Sequence, residues 1–217
     1  FKAFLPELFM VIALCFIFSY GIIYSTSLTH GRPIIVKNIG WLIIQVFLIT
    51  CFLIANNPIE LSIFSDSIVI DQFGSIAKII VLLATIGCFL ISFRYIKVEK
   101  LSYFEYPMLI MLSILGIFLI ISSNDLITMY LGIELQSLSL YVLASLKKDS
   151  AFSTESGLKY FILGALSSGL ILFGCSLIYG FTGTTNLADI SYVLFDFVST
   201  SGMSFGLILL GLCFIVS

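Results

Sequence analysis

Seven long apolar runs fix the architecture before any single residue is considered. A helix needs about 20 mostly nonpolar residues to cross a ~30 Å hydrocarbon core. Six runs meet that requirement, at about 5–24, 39–55, 73–95, 107–121, 125–146 and 157–181. A seventh begins near Gly202 and is still apolar at Ser217. Its length gives only about 24 Å at the helical rise, so it reads as a span cut off within the membrane. Backbone N–H and C=O groups in lipid must be satisfied within the segment, which makes helices the expected form for runs of this length. The expected fold is all-α: a polytopic transmembrane helix bundle with six complete spans and a truncated seventh.

Composition agrees with that class. The 217 residues are 60% hydrophobic and 10% charged, with a mean hydropathy of +1.18, against roughly 25% charged residues in soluble domains. A net charge of −2 offers no basic surface for nucleic acid. The first run is too long for a signal-peptide core and lacks a small-residue cleavage site, so it reads as the first span. Each of the five cysteines, Cys15, Cys51, Cys88, Cys175 and Cys213, falls in a separate apolar run, a placement that suits small packing residues. No CxxC or Cys/His pattern points to a metal. The single histidine, His30, lies in a polar loop beside Gly31, Arg32 and Pro33.

Loop charge sets the orientation. Loops after spans one, three and five carry Arg32, Lys37, Arg94, Lys97, Lys100, Lys147 and Lys148. Loops after spans two, four and six carry only acids: Glu60, Asp66, Asp71, Asp125, Asp189 and Asp196. The positive-inside rule then puts the first set in the cytoplasm or mitochondrial matrix and the N-terminus outside. The long outer linkers are 56–72 and 182–201, and the second has room for a short strand or an interfacial helix.

Glu134 is the residue that breaks the pattern. It lies about 14 Å from one end of its span, at Asp125, and about 20 Å from the other, at Lys147. A carboxylate at that depth has no route to water by snorkelling; such groups face a bundle interior or a hydrated cavity. Tyr130, Ser137 and Tyr141 follow at i−4, i+3 and i+7, a polar stripe suited to proton exchange. The alternative is a permanently protonated carboxyl bonded to a neighbouring helix. Lys159 opens the sixth span after the segment FSTESG, where Ser153 or Thr154 is expected to cap the helix. Its ammonium then sits about 9 Å deep, with an axial gap to Glu134 on the order of 10 Å, so no direct salt bridge is expected. It either snorkels or couples to the buried carboxyl through intervening groups. Lys78, early in span three, reads as a snorkelling lysine. The stretch LGALSSGLILFG pairs Ala165 with Gly169 and Gly164 with Ser168, a pattern that lets helices approach closely. With no P-loop, dinucleotide fingerprint or haem or iron–sulfur ligand set, the residues alone imply a proton- or ion-handling membrane bundle powered from outside itself.

The segment 124–183, NDLITMYLGIELQSLSLYVLASLKKDSAFSTESGLKYFILGALSSGLILFGCSLIYGFTG, resembles the subunit 2 family of mitochondrial NADH:ubiquinone oxidoreductase, respiratory complex I. The paired motifs GIELQSLSLYV and STESGLKYFILGALSSG carry the resemblance, which covers about a quarter of the chain; the earlier spans fit more loosely. The resemblance implies an antiporter-like, proton-translocating subunit of the membrane arm, part of an enzyme complex without being catalytic itself. By it, Glu134 matches the family's fifth-span glutamate and Lys159 the lysine of its sixth-span LKY segment, with Tyr130, Ser137 and Tyr141 as polar neighbours on the path. Residues 1–106 would be three leading spans and 107–217 the start of the first five-helix repeat. The family's seventh-span lysine would fall just after Ser217, so the chain reads as the N-terminal half of a longer subunit. No cofactor or metal is expected in this chain; the complex as a whole carries FMN, iron–sulfur clusters and ubiquinone. Expected partners are the other membrane-arm subunits, the C-terminal remainder of subunit 2 and the lipid bilayer, in the mitochondrial inner membrane with the N-terminus on the intermembrane-space side. Two rivals stand beside this reading: a stand-alone cation/proton antiporter subunit, and a structural scaffold without transport.

Overall fold

A computed structural model describes residues 4–25, 32–56, 61–98, 104–147, 150–200 and 202–216. His30, Glu60, Lys100, Lys148 and Ser217 lie outside the described residues. The elements run α1 (Leu5–Ser25), α2 (Arg32–Ala55), β1 (Leu61–Ile63), β2 (Ile68–Ile70), α3 (Gln72–Val98), α4 (Glu105–Ser122), α5 (Leu126–Ala144), α6 (Ala151–Thr182), α7 (Leu187–Thr200) and α8 (Gly202–Val216). The first six helices are long and apolar enough to cross a membrane. The chain is an all-α polytopic bundle, as its apolar runs imply. At 32 residues α6 is about 48 Å long, well beyond a hydrocarbon core, and must tilt or project.

Two outer linkers acquire structure of their own. The first forms an antiparallel hairpin pairing Leu61 with Ile70 and Ile63 with Ile68. Its turn places Phe64, Ser65 and Asp66 at positive φ (56°, 54° and 64°), a conformation unusual for residues other than glycine and least expected of a bulky one. Cross-links hold it there: the Asn124 side chain donates to the Asp66 carbonyl at 3.0 Å, and the Asn124 N–H to the Ser67 carbonyl at 2.9 Å. The second linker becomes α7, an amphipathic helix with Tyr192 and Phe195 exposed. Asp125 joins these pieces, capping α5 through the Ile127 N–H at 2.8 Å and accepting from Thr185 at 3.1 Å.

Helices α1–α4 share a core of large side chains, with Met10, Phe47, Phe89, Met111 and Phe118 fully or almost fully buried. Helix α5 attaches to α4 differently, through a glycine seam. A Cβ on Gly116 would lie 2.7 Å from the Gln136 backbone nitrogen, and one on Gly132 would lie 3.0 Å from the Gly116 carbonyl. A second seam joins α6 to α8, where a Cβ on Gly174 would lie 2.7 Å from the Gly211 carbonyl. Only part of the small-residue pattern in α6 therefore serves packing. Gly164 and Gly174 are buried, whereas Ala165 is exposed and Gly169 has open space around it.

Three local expectations need correction. Helix α6 starts at Ala151, before Ser153 and Thr154, so neither caps it. Ser153 instead donates to the Ala144 carbonyl at 3.0 Å, satisfying an orphan acceptor at the end of α5. Of the five free cysteines only Cys175 is buried; Cys15, Cys88 and Cys213 face away from the chain's own core. The third correction, at Lys78, belongs to the description of the ionisable groups.

Candidate functional site

Glu134 is the ninth of the 19 residues of α5, close to its midpoint, and is half-buried. The glycine face of α5 belongs to α4. Gly132 is two residues, or about 200°, from Glu134, so the carboxyl lies on the opposite side. That side meets α6. The Tyr141 hydroxyl lies against Gly164, where no Cβ would fit, and Gly157 packs on Ser145. The Tyr141 ring is edge-on to Tyr160 and Phe161, with centroids 4.8 and 5.8 Å away. Tyr130, one turn before Glu134, interacts with the Glu134 carboxyl and with the Ser168 hydroxyl of α6. Ser137 donates to the Glu134 main-chain carbonyl at 3.1 Å, which ties its hydroxyl to its own helix.

The structure thus brings Tyr130 and Glu134 together, adds Ser168 to them, and sets Tyr141 two turns along the same face. Lys159 is elsewhere. The helix register defined by Gly157 beside Ser145 and Gly164 beside Tyr141 puts Lys159 level with the end of α5. Glu134 is then about ten residues away, or roughly 15 Å along the axis. The Lys159 ammonium is bound within its own helix to Glu155 at 2.5 Å, and both side chains are mostly exposed. Among the described residues no ion pair joins Lys159 to Glu134.

Sequence reasoning missed the most buried pair of charges in the chain. Lys78 does not snorkel: its ammonium bonds the Glu7 carboxylate, and each residue is only 4% exposed. Phe118 of α4 lies under the ammonium, 5.6 Å from centroid to nitrogen, a cation–π contact. A signal existed. Opposite charges sit a few residues inside the outer ends of two spans, and neither has a flanking partner in its own run.

Relatives place this arrangement in a family. A family model described as NADH:quinone oxidoreductase/Mrp antiporter, transmembrane, matches residues 123–217. NADH-ubiquinone oxidoreductase chain 2 of Marchantia polymorpha is 43% identical over 218 residues, covering 99% of this chain and 45% of the relative. NADH-quinone oxidoreductase subunit N of Pelagibacter ubique is 46% identical over 219 residues, covering 98% and 44%. The chain belongs to the antiporter-like membrane subunits of this family. It spans less than half the length of those curated relatives. The same fold occurs in respiratory complex I from Thermus thermophilus, with a TM-score of 0.67 at 20% identity over 96% of this chain and 43% of that one. It occurs again in an archaeal membrane-bound sulfane sulfur reductase, with a TM-score of 0.68 at 21% identity over 99% and 43%. Antiporter-like subunits are multi-pass membrane proteins, and the six long apolar helices here fit that placement.

Proposed function

We propose that this chain is the leading part of a proton-translocating membrane-arm subunit of NADH:quinone oxidoreductase, and that Glu134 is the group in it that takes up and releases the transferred proton. The observation that carries this reading is a carboxyl at the middle of a membrane span, turned to a facing helix that offers it hydroxyl groups. A carboxyl there changes between neutral and charged forms only when a proton reaches it, and the Tyr130 and Ser168 hydroxyls can hand one on by hydrogen bonds. Tyr141 and Ser137 extend the polar side of α5, and Lys159 modulates the path from its matrix end. Redox chemistry with NADH, FMN, iron–sulfur clusters and ubiquinone is assigned to other subunits, with no cofactor in this chain. Residues 1–106 then form a leading three-helix unit and 107–217 the start of a five-helix repeat, completed by the C-terminal remainder of the subunit and flanked by other membrane-arm subunits. Replacing Glu134 with Gln keeps the shape and removes the titrating proton. In the complete assembly, Glu134→Gln should leave complex abundance near wild type and lower protons pumped per electron; unchanged stoichiometry would reduce Glu134 to a structural group.

The proposed location is the mitochondrial inner membrane, with the α5–α6 loop in the matrix and α7 on the intermembrane-space side. The distribution of Lys and Arg supports that orientation. Single cysteines at Lys147 and Asp189 test it with an impermeant reagent. Labelling of Asp189→Cys but not Lys147→Cys from the outer side is expected, and the reverse pattern would invert the topology. A second reading, a subunit of a stand-alone cation/proton antiporter, draws on the family description, which names both kinds of protein. Co-purification with flavin and iron–sulfur subunits separates the first reading from a free assembly with sodium-dependent proton flux.

A further inference from the structure

The four leading helices enclose a polar centre. Helix α1 packs on α2 and α4, α3 packs on the same two, and α2 and α4 also touch. Helices α1 and α3 therefore occupy opposite corners with few direct approaches between them. Across that diagonal Lys78 reaches Glu7, which is 71 positions away in sequence. The junction lies toward the hairpin end of the bundle, where the Phe4 ring stands edge-on to Phe64 at 6.0 Å. Its surroundings are dry: Met10 and Leu82, a turn along from each charge, and Phe118 are all fully buried. One carboxylate oxygen of Glu7 holds the ammonium, and the other is buried without a partner.

An ion pair in such a place is poor glue. Removing two charges from water offsets most of their attraction, and a pair of well-packed apolar side chains does as well or better. Separating the two is another matter, because it leaves a bare charge in an apolar interior. The pair therefore penalises wrong arrangements more than it favours the right one. Wrong arrangements are a real hazard here, since α1 and α2 are apolar nearly all round and lack the single stripe that orients a surface helix. A slide of one turn, about 5.4 Å, would exchange one apolar surface for another at little cost. It would also pull Glu7 from Lys78.

We propose that Glu7 and Lys78 form a register clasp, selecting one seating of α1 and α3 around α4, and that the pair lies off the proton path. The test uses the complete assembly in native membranes. Glu7→Gln and Lys78→Met each strand one charge, and assembled complex should fall about ten-fold or more. The double variant Glu7→Leu/Lys78→Met strands none and should accumulate near wild type. Register is read by a short bismaleimide joining cysteines placed at Phe4 and Phe64. In the double variant cross-link yield should drop several-fold, and pumping per complex should fall no further than that yield. Three results would overturn the proposal: single variants that accumulate normally, a double variant that fails to assemble or cross-links at full yield with full pumping, or one that cross-links at full yield and no longer pumps. The last would put the pair on a proton route.

Discussion

The chain contains two Lys–Glu pairs of identical chemistry in opposite settings, and around them the bundle is held by two different means. Lys78 and Glu7 connect distant helices inside a core of Phe, Met and Ile, shut off from solvent. Lys159 and Glu155 are one turn apart on the same helix, with side chains 69% and 59% exposed. In the first region large side chains interlock. In the second, glycines bring helix backbones together and most of α6 is left facing outward, with Leu163, Leu166 and Phe173 all exposed. Lipid tails are as apolar as leucine, so burial of such side chains gives little drive between helices in a membrane. What remains is fit. Close backbone approach supplies it where side chains are small, and charge pairing supplies selectivity where helices are apolar all round.

The sharpest way to break the contrast is to put a side chain into a seam. Gly116 faces main-chain atoms of Gly132 and Gln136 at 2.8 and 2.7 Å from a built Cβ, and neither can swing aside as a rotamer would. Gly116→Leu should destabilise the α4–α5 contact by about 3 kcal/mol or more, at the upper end for overpacking. The same change at Gly169, which has nothing within 4 Å, should stay within about 0.5 kcal/mol, as surface substitutions do. Thermal inactivation of the purified assembly measures both. Equal losses at the two sites would show that α6 has an unseen neighbour at Gly169 and that the seam is not special.

How far the sequence spoke for itself differs between these regions for a physical reason. Span length is local information, so the apolar runs announced six helices and the start of a further one to within a few residues. Glu134 was legible because its depth is set by its own helix. The Glu7–Lys78 pair was not, because which helices touch is decided by packing that a single run does not encode. The hairpin turn hid for a related reason: Phe64, Ser65 and Asp66 carry no glycine signal, and their left-handed backbone is held by Asn124, nearly 60 residues away. Ser153 deceived in the other direction. A serine near a helix start usually caps that helix, but here the chain enters the helix earlier and the hydroxyl serves the preceding one.

The smallest effect on stability is expected at Lys159, and that makes it the cleanest place to separate charge from structure. Its pair with Glu155 has the favourable order, acid four residues before base, yet exposed pairs of this kind contribute roughly 0.3–0.5 kcal/mol. Solvent screening at more than half exposure lowers that further. Lys159→Met and Lys159→Arg should therefore both assemble and melt like wild type. Their proton pumping need not agree. Lys159 adjoins Tyr160, whose ring touches Tyr141 on the face of α5 that carries Glu134, so a charge at Lys159 can act on Glu134 through these side chains without touching it. If it does, Lys159→Met lowers protons pumped per electron and Lys159→Arg, which keeps the charge, stays closer to wild type. Two variants that pump alike and without loss would leave Lys159 as an interfacial charge, and Glu134 would have to find its cationic partner on another helix.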